Sequence, residues 1–162
     1  MAATVTILEK NGAGGTTTDK TGGTVRLKKA DNSTVDLNNP LVKPASGSDW
    51  SFEKWLRLNF AGTYTQASNL KAYTDGSSGL GTGINLWAKA AASYATPAQA
   101  SASTGYANAF TYTSGAPLSL GAGPFTGTGE QGDHLVLVCE VQSTASGGLT
   151  PSETLTLAWD EI

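Results

Sequence analysis

Residues 50–76 read WSFEKWLRLNFAGTYTQASNLKAYTDG, and the fold is decided by how this stretch is read. Counting on from Trp50, Phe52, Lys54, Leu56, Leu58 and Phe60 fall on one face. Ser51, Glu53, Trp55, Arg57 and Asn59 fall on the other. Strict alternation of this kind marks a strand buried on one side. A helix would scatter the same apolar residues around its axis, and the Gly-rich, β-branched neighbours disfavour one. Residues 61–69 then turn the chain, 70–74 form the next strand, and Asp75-Gly76 ends it with a turn dipeptide.

Working outward, residues 84–90 (INLWAKA) alternate Ile84, Leu86 and Ala88 against Asn85, Trp87 and Lys89. Residues 134–142 (HLVLVCEVQ) are the most apolar run and are expected to form a central strand. Residues 106–113 (YANAFTYT) alternate large and small side chains, which predicts another strand, and 93–95 a shorter one. Residues 99–105 read as a small-residue loop or one or two helical turns. Residues 114–132 read as a long loop anchored by Leu118, Leu120 and Phe125, and 143–152 as a connecting turn. The chain closes on a strand with Leu155, Leu157 and Trp159 on one face. Upstream, residues 4–8 are β-prone and 11–23 form a glycine-rich loop. Residues 24–29 (TVRLKK) point Val25 and Leu27 inward and Arg26 and Lys28 outward, with 34–37 pairing back as a hairpin. Residues 38–49, with two prolines, read as an extended connector.

Roughly seven to ten short strands with turn signals between them, and no long helix, predict an all-β protein. The expected architecture is an antiparallel β-sandwich or jelly-roll-like single domain. Its body spans 46–162, preceded over 1–45 by an N-terminal arm or small β element with a proline-containing connector. That first segment has too few apolar residues to fold alone. It either adds strands to the main sheet or lies on a neighbouring molecule, as donated strands do.

The 162 residues are 39% hydrophobic and only 14% charged, below the soluble average of about 25% charged. Gly, Ser and Thr fill roughly a third of the chain, so its polar surface is mostly neutral hydroxyl. Net charge is −3 and unevenly distributed. All ten bases lie at or before Lys89, where seven acids give +3, and the remainder has six acids and no base, −6. Such asymmetry can favour docking between complementary surfaces. The largest basic cluster is Arg26, Lys28 and Lys29, which argues against a nucleic-acid partner. No run approaches the ~20 apolar residues of a membrane helix. The opening MAATVTILEK has no basic segment leading into an apolar core, so no secretion leader and synthesis in a cytoplasm are expected.

Little points to chemistry. His134 is the one histidine, sits at the head of the most apolar strand, and has no G-x-S-x-G elbow to serve. His134 and Cys139, five residues apart along one strand, point to opposite faces, which argues against zinc. Cys139 reads as a small core residue. Asp31 and Asp36, or Glu130 and Asp133, match no calcium loop. GAGG, GLGTG and GAGPFTG match no phosphate-binding loop. No enzyme activity, cofactor or metal is therefore expected. The aromatics are the remaining signal. Trp55 and Trp87 fall on the faces opposite the apolar ones, Trp55 beside Arg57. These three residues are the candidate interface, and an exposed Trp pair could also stack on sugar rings. The bland alternative is that both sides of the strand are covered, here by the N-terminal arm.

The segment 50–55, Trp50-Ser51-Phe52-Glu53-Lys54-Trp55, followed by Asn69-Leu70-Lys71-Ala72-Tyr73-Thr74-Asp75-Gly76, resembles a strand pair of small tailed-bacteriophage virion proteins. Tyr94-Ala95-Thr96-Pro97 and the terminal Trp159-Asp160-Glu161 are similar to the same group. The resemblance spans the last two thirds of the chain. It implies a structural role as a head decoration (cement) protein on the capsid exterior of the virion, or in a tail, neck or baseplate. The implied partners are the major capsid protein and further copies of itself, a trimer first.

Overall fold

The computed structural model describes residues 2–146 and 151–162. Among them the strands are β1 (Thr4–Asn11), β2 (Thr16–Asp19), β3 (Ser48–Trp50), β4 (Lys54–Ala61), β5 (Ala67–Tyr73), β6 (Ile84–Ala91), β7 (Ala107–Asn108), β8 (Leu118–Gly121), β9 (Gly129–Gln142) and β10 (Thr156–Glu161). Every pairing is antiparallel. One sheet has seven strands in the order β2-β1-β4-β9-β6-β7, with β3 also paired to β9. The other runs β10-β5-β8. The protein is all-β and two-layered, as the strand period predicts.

The core lies between the layers. Leu56, Leu58 and Phe60 of β4, Leu86 and Ala88 of β6, and Leu135 and Leu137 of β9 cluster with Leu70 and Ala72 of β5 and Leu120 of β8. The apolar run in β9 is central because β4 and β6 are bonded to its two edges, and both of its faces are covered as well. Val136 and Val138 on the outer face are as buried as Leu135 on the inner one.

Where the strands depart from expectation, side chains supply the reason. The run from Trp50 is not one strand but two, broken at 51–53. Ser51 stays tied to β9, donating its N–H to the Cys139 carbonyl and accepting the Cys139 N–H on its Oγ. Phe52 and Glu53 swing out, the Phe52 N–H to Lys28 O and the Glu53 N–H to Ala98 O. Strand β9 starts five residues before His134, because 129–131 pair with Phe60, Asn59 and Leu58 across an irregularity in register. Gly132, at φ 70°, makes that irregularity fit. The expected strand over 106–113 is two residues of β7 and one turn of 3-10 helix (Ala109–Thr111), capped by the Asn108 side chain, which accepts the Phe110 N–H at 2.9 Å. Residues 93–95 and 24–37 form no strand. In contrast, β2 and β8 arise from stretches read as loops. The expected turn over 143–152 falls in part outside the described residues.

The N-terminal stretch is built into the main sheet. Strand β1 pairs with β4 from Thr4 opposite Ala61 to Lys10 opposite Trp55, and β2 closes the sheet edge beyond it.

Candidate interaction surface

Trp55 projects from the outer face of β4 but is only 3% exposed. Tyr94 and His134 meet its ring edge-on, at centroid separations of 5.4 and 5.5 Å. Its indole N–H donates to Glu53 at 3.0 Å. The expectation of an exposed Trp pair is therefore corrected: residues 92–106 fold back over this face. The returning chain is tied down by the Ala100 N–H on Ser51 O and by Gln99 Nε2 on Trp50 O. Trp87 is half-buried and donates its N–H to Glu140 at 3.1 Å. Arg57 is also half-buried. Its Nε donates to Gly132 O at 2.9 Å and its Nη1 lies 3.4 Å from Glu130, so it braces the irregular part of β9. The three candidate residues share the outer face, and each is engaged within the chain.

The carboxylates beneath them act as hubs. Glu53 accepts from Trp55, from Lys89 and from the Tyr106 hydroxyl. Burial pushes the Glu53 carboxyl up, but these three bonds outweigh it and hold it below its ordinary range. Burial and Glu53 together drive the Tyr106 phenol upward. Glu140 accepts from Ser48, Asn85 and Trp87. Burial, helped by Glu140, pushes the Cys139 thiol up to about 12, which makes it an inert core residue. Among the described residues no three His, Cys, Asp or Glu side chains group as a metal site would need. His134 is buried with Nδ1 3.2 Å from Ala91 O, and Nε2 has no hydrogen-bond partner.

The surface that is presented lies elsewhere. Residues 20–47 contain no strand or helix, yet they are held at many points. Lys20 donates to Ser33 O at 2.6 Å, and Lys28 to Thr34 O at 3.0 Å and Asp36 at 2.9 Å. Lys29 pairs with Asp49, which also accepts the Val42 N–H. Lys28 is 1% exposed, the reverse of its expected outward position. The long aliphatic stem of a lysine can lie in apolar surroundings while the ammonium reaches a carbonyl or carboxylate. Much of the positive charge of the N-terminal part is thus used inside the molecule and does not create a basic patch. Among the polar and turn residues that the stretch shows to solvent stand three large aliphatic side chains: Val35, Leu37 and Val42 are 52%, 75% and 54% exposed. Its inner side roofs a cleft of about 750 Å³, walled by Leu27, Leu41, Leu56, Leu86, Leu137 and Leu157 among others.

The chain matches no known protein family, no curated protein and no solved structure. Sequence reasoning missed this surface because it read 34–37 as half of a hairpin and the aperiodic 38–49 as an extended connector. The signal was there in Val35, Leu37, Leu41 and Val42, four aliphatics in a segment otherwise made of turn formers.

Proposed function

We propose that this protein is a bacteriophage capsid decoration (cement) protein, binding the outside of the head and bridging neighbouring major capsid subunits. One observation carries the reading together with the sequence resemblance: three exposed aliphatic side chains stand on a segment that has no regular structure but is pinned by buried lysines. Large apolar side chains held out in water on a segment tied down by hydrogen bonds suit a contact surface, and pre-ordering the segment lowers the entropic cost of docking. The neutral, hydroxyl-rich remainder suits close packing of many copies, where multivalency turns a modest interface into a strong one. A trimer is the proposed unit, since three-fold symmetry matches local three-fold positions on a shell.

Imaging the assembled particle at a resolution that places this chain tests the reading. Density on the head exterior, with residues 35–42 against the major capsid protein, is the expected result. Density confined to the tail, neck or baseplate would replace the head assignment with another virion role.

A further inference from the structure

The inner face of the β1–β4 pair carries a second feature, a buried polar cluster that also touches the 20–47 segment, where Lys54 Nζ donates to Asn32 O at 2.5 Å. Glu9 and Asn11 lie two residues apart on β1, on the same face. Lys54 opens β4, one step beyond the Lys10–Trp55 pair, so it is the cross-strand neighbour of Asn11. Glu9 and Lys54 are 0% exposed and Asn11 is 9% exposed. Lys54 Nζ donates to Glu9 Oε1 at 3.0 Å, and Asn11 Nδ2 approaches the same oxygen at 3.3 Å. Asn11 Nδ2 also donates to Asp31 Oδ1 at 2.9 Å. Both partners of this nitrogen are carboxylates, which only accept, so the amide orientation is fixed with nitrogen toward Glu9. Glu9 Oε2 is buried and has no hydrogen-bond partner, with Lys20 Nζ 3.7 Å away.

An amine, a carboxamide and a carboxylate that touches both, shut away from water, are the groups that amide exchange requires. We propose that Lys54 and Asn11 become joined by a self-catalysed isopeptide bond, with Glu9 as the proton carrier. Glu9 takes a proton from the Lys54 ammonium along the 3.0 Å hydrogen bond. The freed Nζ lone pair attacks Asn11 Cγ, and the new C–N bond forms. The Cγ–Nδ2 bond then breaks. Nζ begins with three hydrogens and ends with one, and the two it loses pass through Glu9 to Nδ2. Nδ2 leaves as ammonium and Glu9 returns to a carboxylate. Nothing is oxidised or reduced, and no further reactant is needed. Asp31 holds the departing nitrogen from the other side and also accepts the Gly12 N–H at 2.8 Å. Holding the reacting groups together in a dry site supplies the effective concentration that such a slow reaction needs. The product ties the edge hairpin to β4 covalently and closes a loop that includes the whole 20–47 segment, restricting the unfolded chain as a disulfide would. The inference stands apart from the capsid assignment and survives its failure.

Intact-mass spectrometry of the purified, denatured chain, with Met1 processing accounted for, reads the bond directly. The expected result is a mass about 17 Da below that of the sequence, the loss of one ammonia. Proteolysis should give a branched peptide joining Asn11 to Lys54. Glu9→Gln should restore the full mass. If that variant fails to fold, the wild-type branched peptide decides the matter alone. Because Asn11 precedes Gly12, ring closure within the backbone would lose the same mass. A deficit found only in a linear peptide containing residues 11 and 12 would overturn the proposal. A full-length mass that persists on prolonged incubation of the folded protein would overturn it as well.

Discussion

Gly132 sits against Leu120 across the junction of the two sheets. A β-carbon on Gly132 would lie 2.4 Å from the Leu120 carbonyl oxygen and 2.7 Å from a Leu70 methyl, and its φ is 70°. The irregular stretch of β9 can therefore approach the small sheet only without a side chain at this point. Arg57 fixes the same peptide from the other face through its bond to Gly132 O. Gly132→Ala combines a disfavoured backbone conformation with a backbone clash. It should cost about 3 kcal/mol or more in a denaturant titration. A loss below ~1 kcal/mol would show that the layers can part easily at this point.

Trp55 tests whether the outer face is core or contact surface. With two aromatic neighbours and a bonded indole N–H, Trp55→Ala should destabilise the isolated protein by about 3–5 kcal/mol. Trp55→Phe should cost less, losing mainly the bond to Glu53. A Trp55→Ala variant with unchanged melting would return this residue to the interface.

The histidine beneath that ring gives a pH dependence. Burial lowers the His134 pKa from its ordinary 6.5. The bond to Ala91 O acts upward, Arg57 and Lys10 push down, and Glu130 pulls up, with a net lowering. Between the folded and unfolded values the unfolded chain holds more protons, so stability rises with pH there. The melting temperature should fall as pH drops below about 6.5 and level off below the folded value. His134→Gln should flatten this limb. A second loss should set in below 4.5. There burial raises the Glu130 carboxyl, but the Lys10 bond and charge and then Arg57 outweigh it, leaving a net lowering. Thermal melts from pH 2 to 8 in both proteins would show whether the two limbs separate as described.

Lys28 tests the support of the exposed segment. Lys28→Met keeps the aliphatic stem and removes the bonds to Thr34 O and Asp36. Limited proteolysis between residues 30 and 43 should become several-fold faster while the β-sheet circular dichroism is unchanged. Equal cleavage rates would mean that Lys29, Lys20 and Lys54 suffice to hold the stretch.

The sheet was legible in the sequence where a single period governed a strand. Alternation from Trp50 placed Leu56, Leu58 and Phe60 in the core, and it placed Lys54 there too, although lysine composition alone argues for solvent. The apolar run after His134 marked the central strand. Legibility failed where one side-chain contact overrode the pattern. The Asn108 side chain caps a 3-10 turn inside what reads as a strand, and Ser51 breaks another by bonding to Cys139. It failed again where partners lie far away in the chain. Tyr94 covers Trp55, and Asn32 and Glu9 receive Lys54, at separations that no local spacing encodes. The exposed aliphatics of 35–42 were visible as residues, but their exposure depends on lysines turning inward.

The central claim is that this protein acts through the surface held out by residues 35–42. The most direct measurement is binding of the purified protein to phage heads that lack it, comparing the native chain with a Val35→Ser, Leu37→Ser, Val42→Ser variant by co-sedimentation. All three side chains face solvent, so the variant should melt as the native protein does, yet bind at least tenfold more weakly, a difference of about 1.4 kcal/mol or more. A well-folded variant that decorates heads as tightly as the native chain would contradict the account.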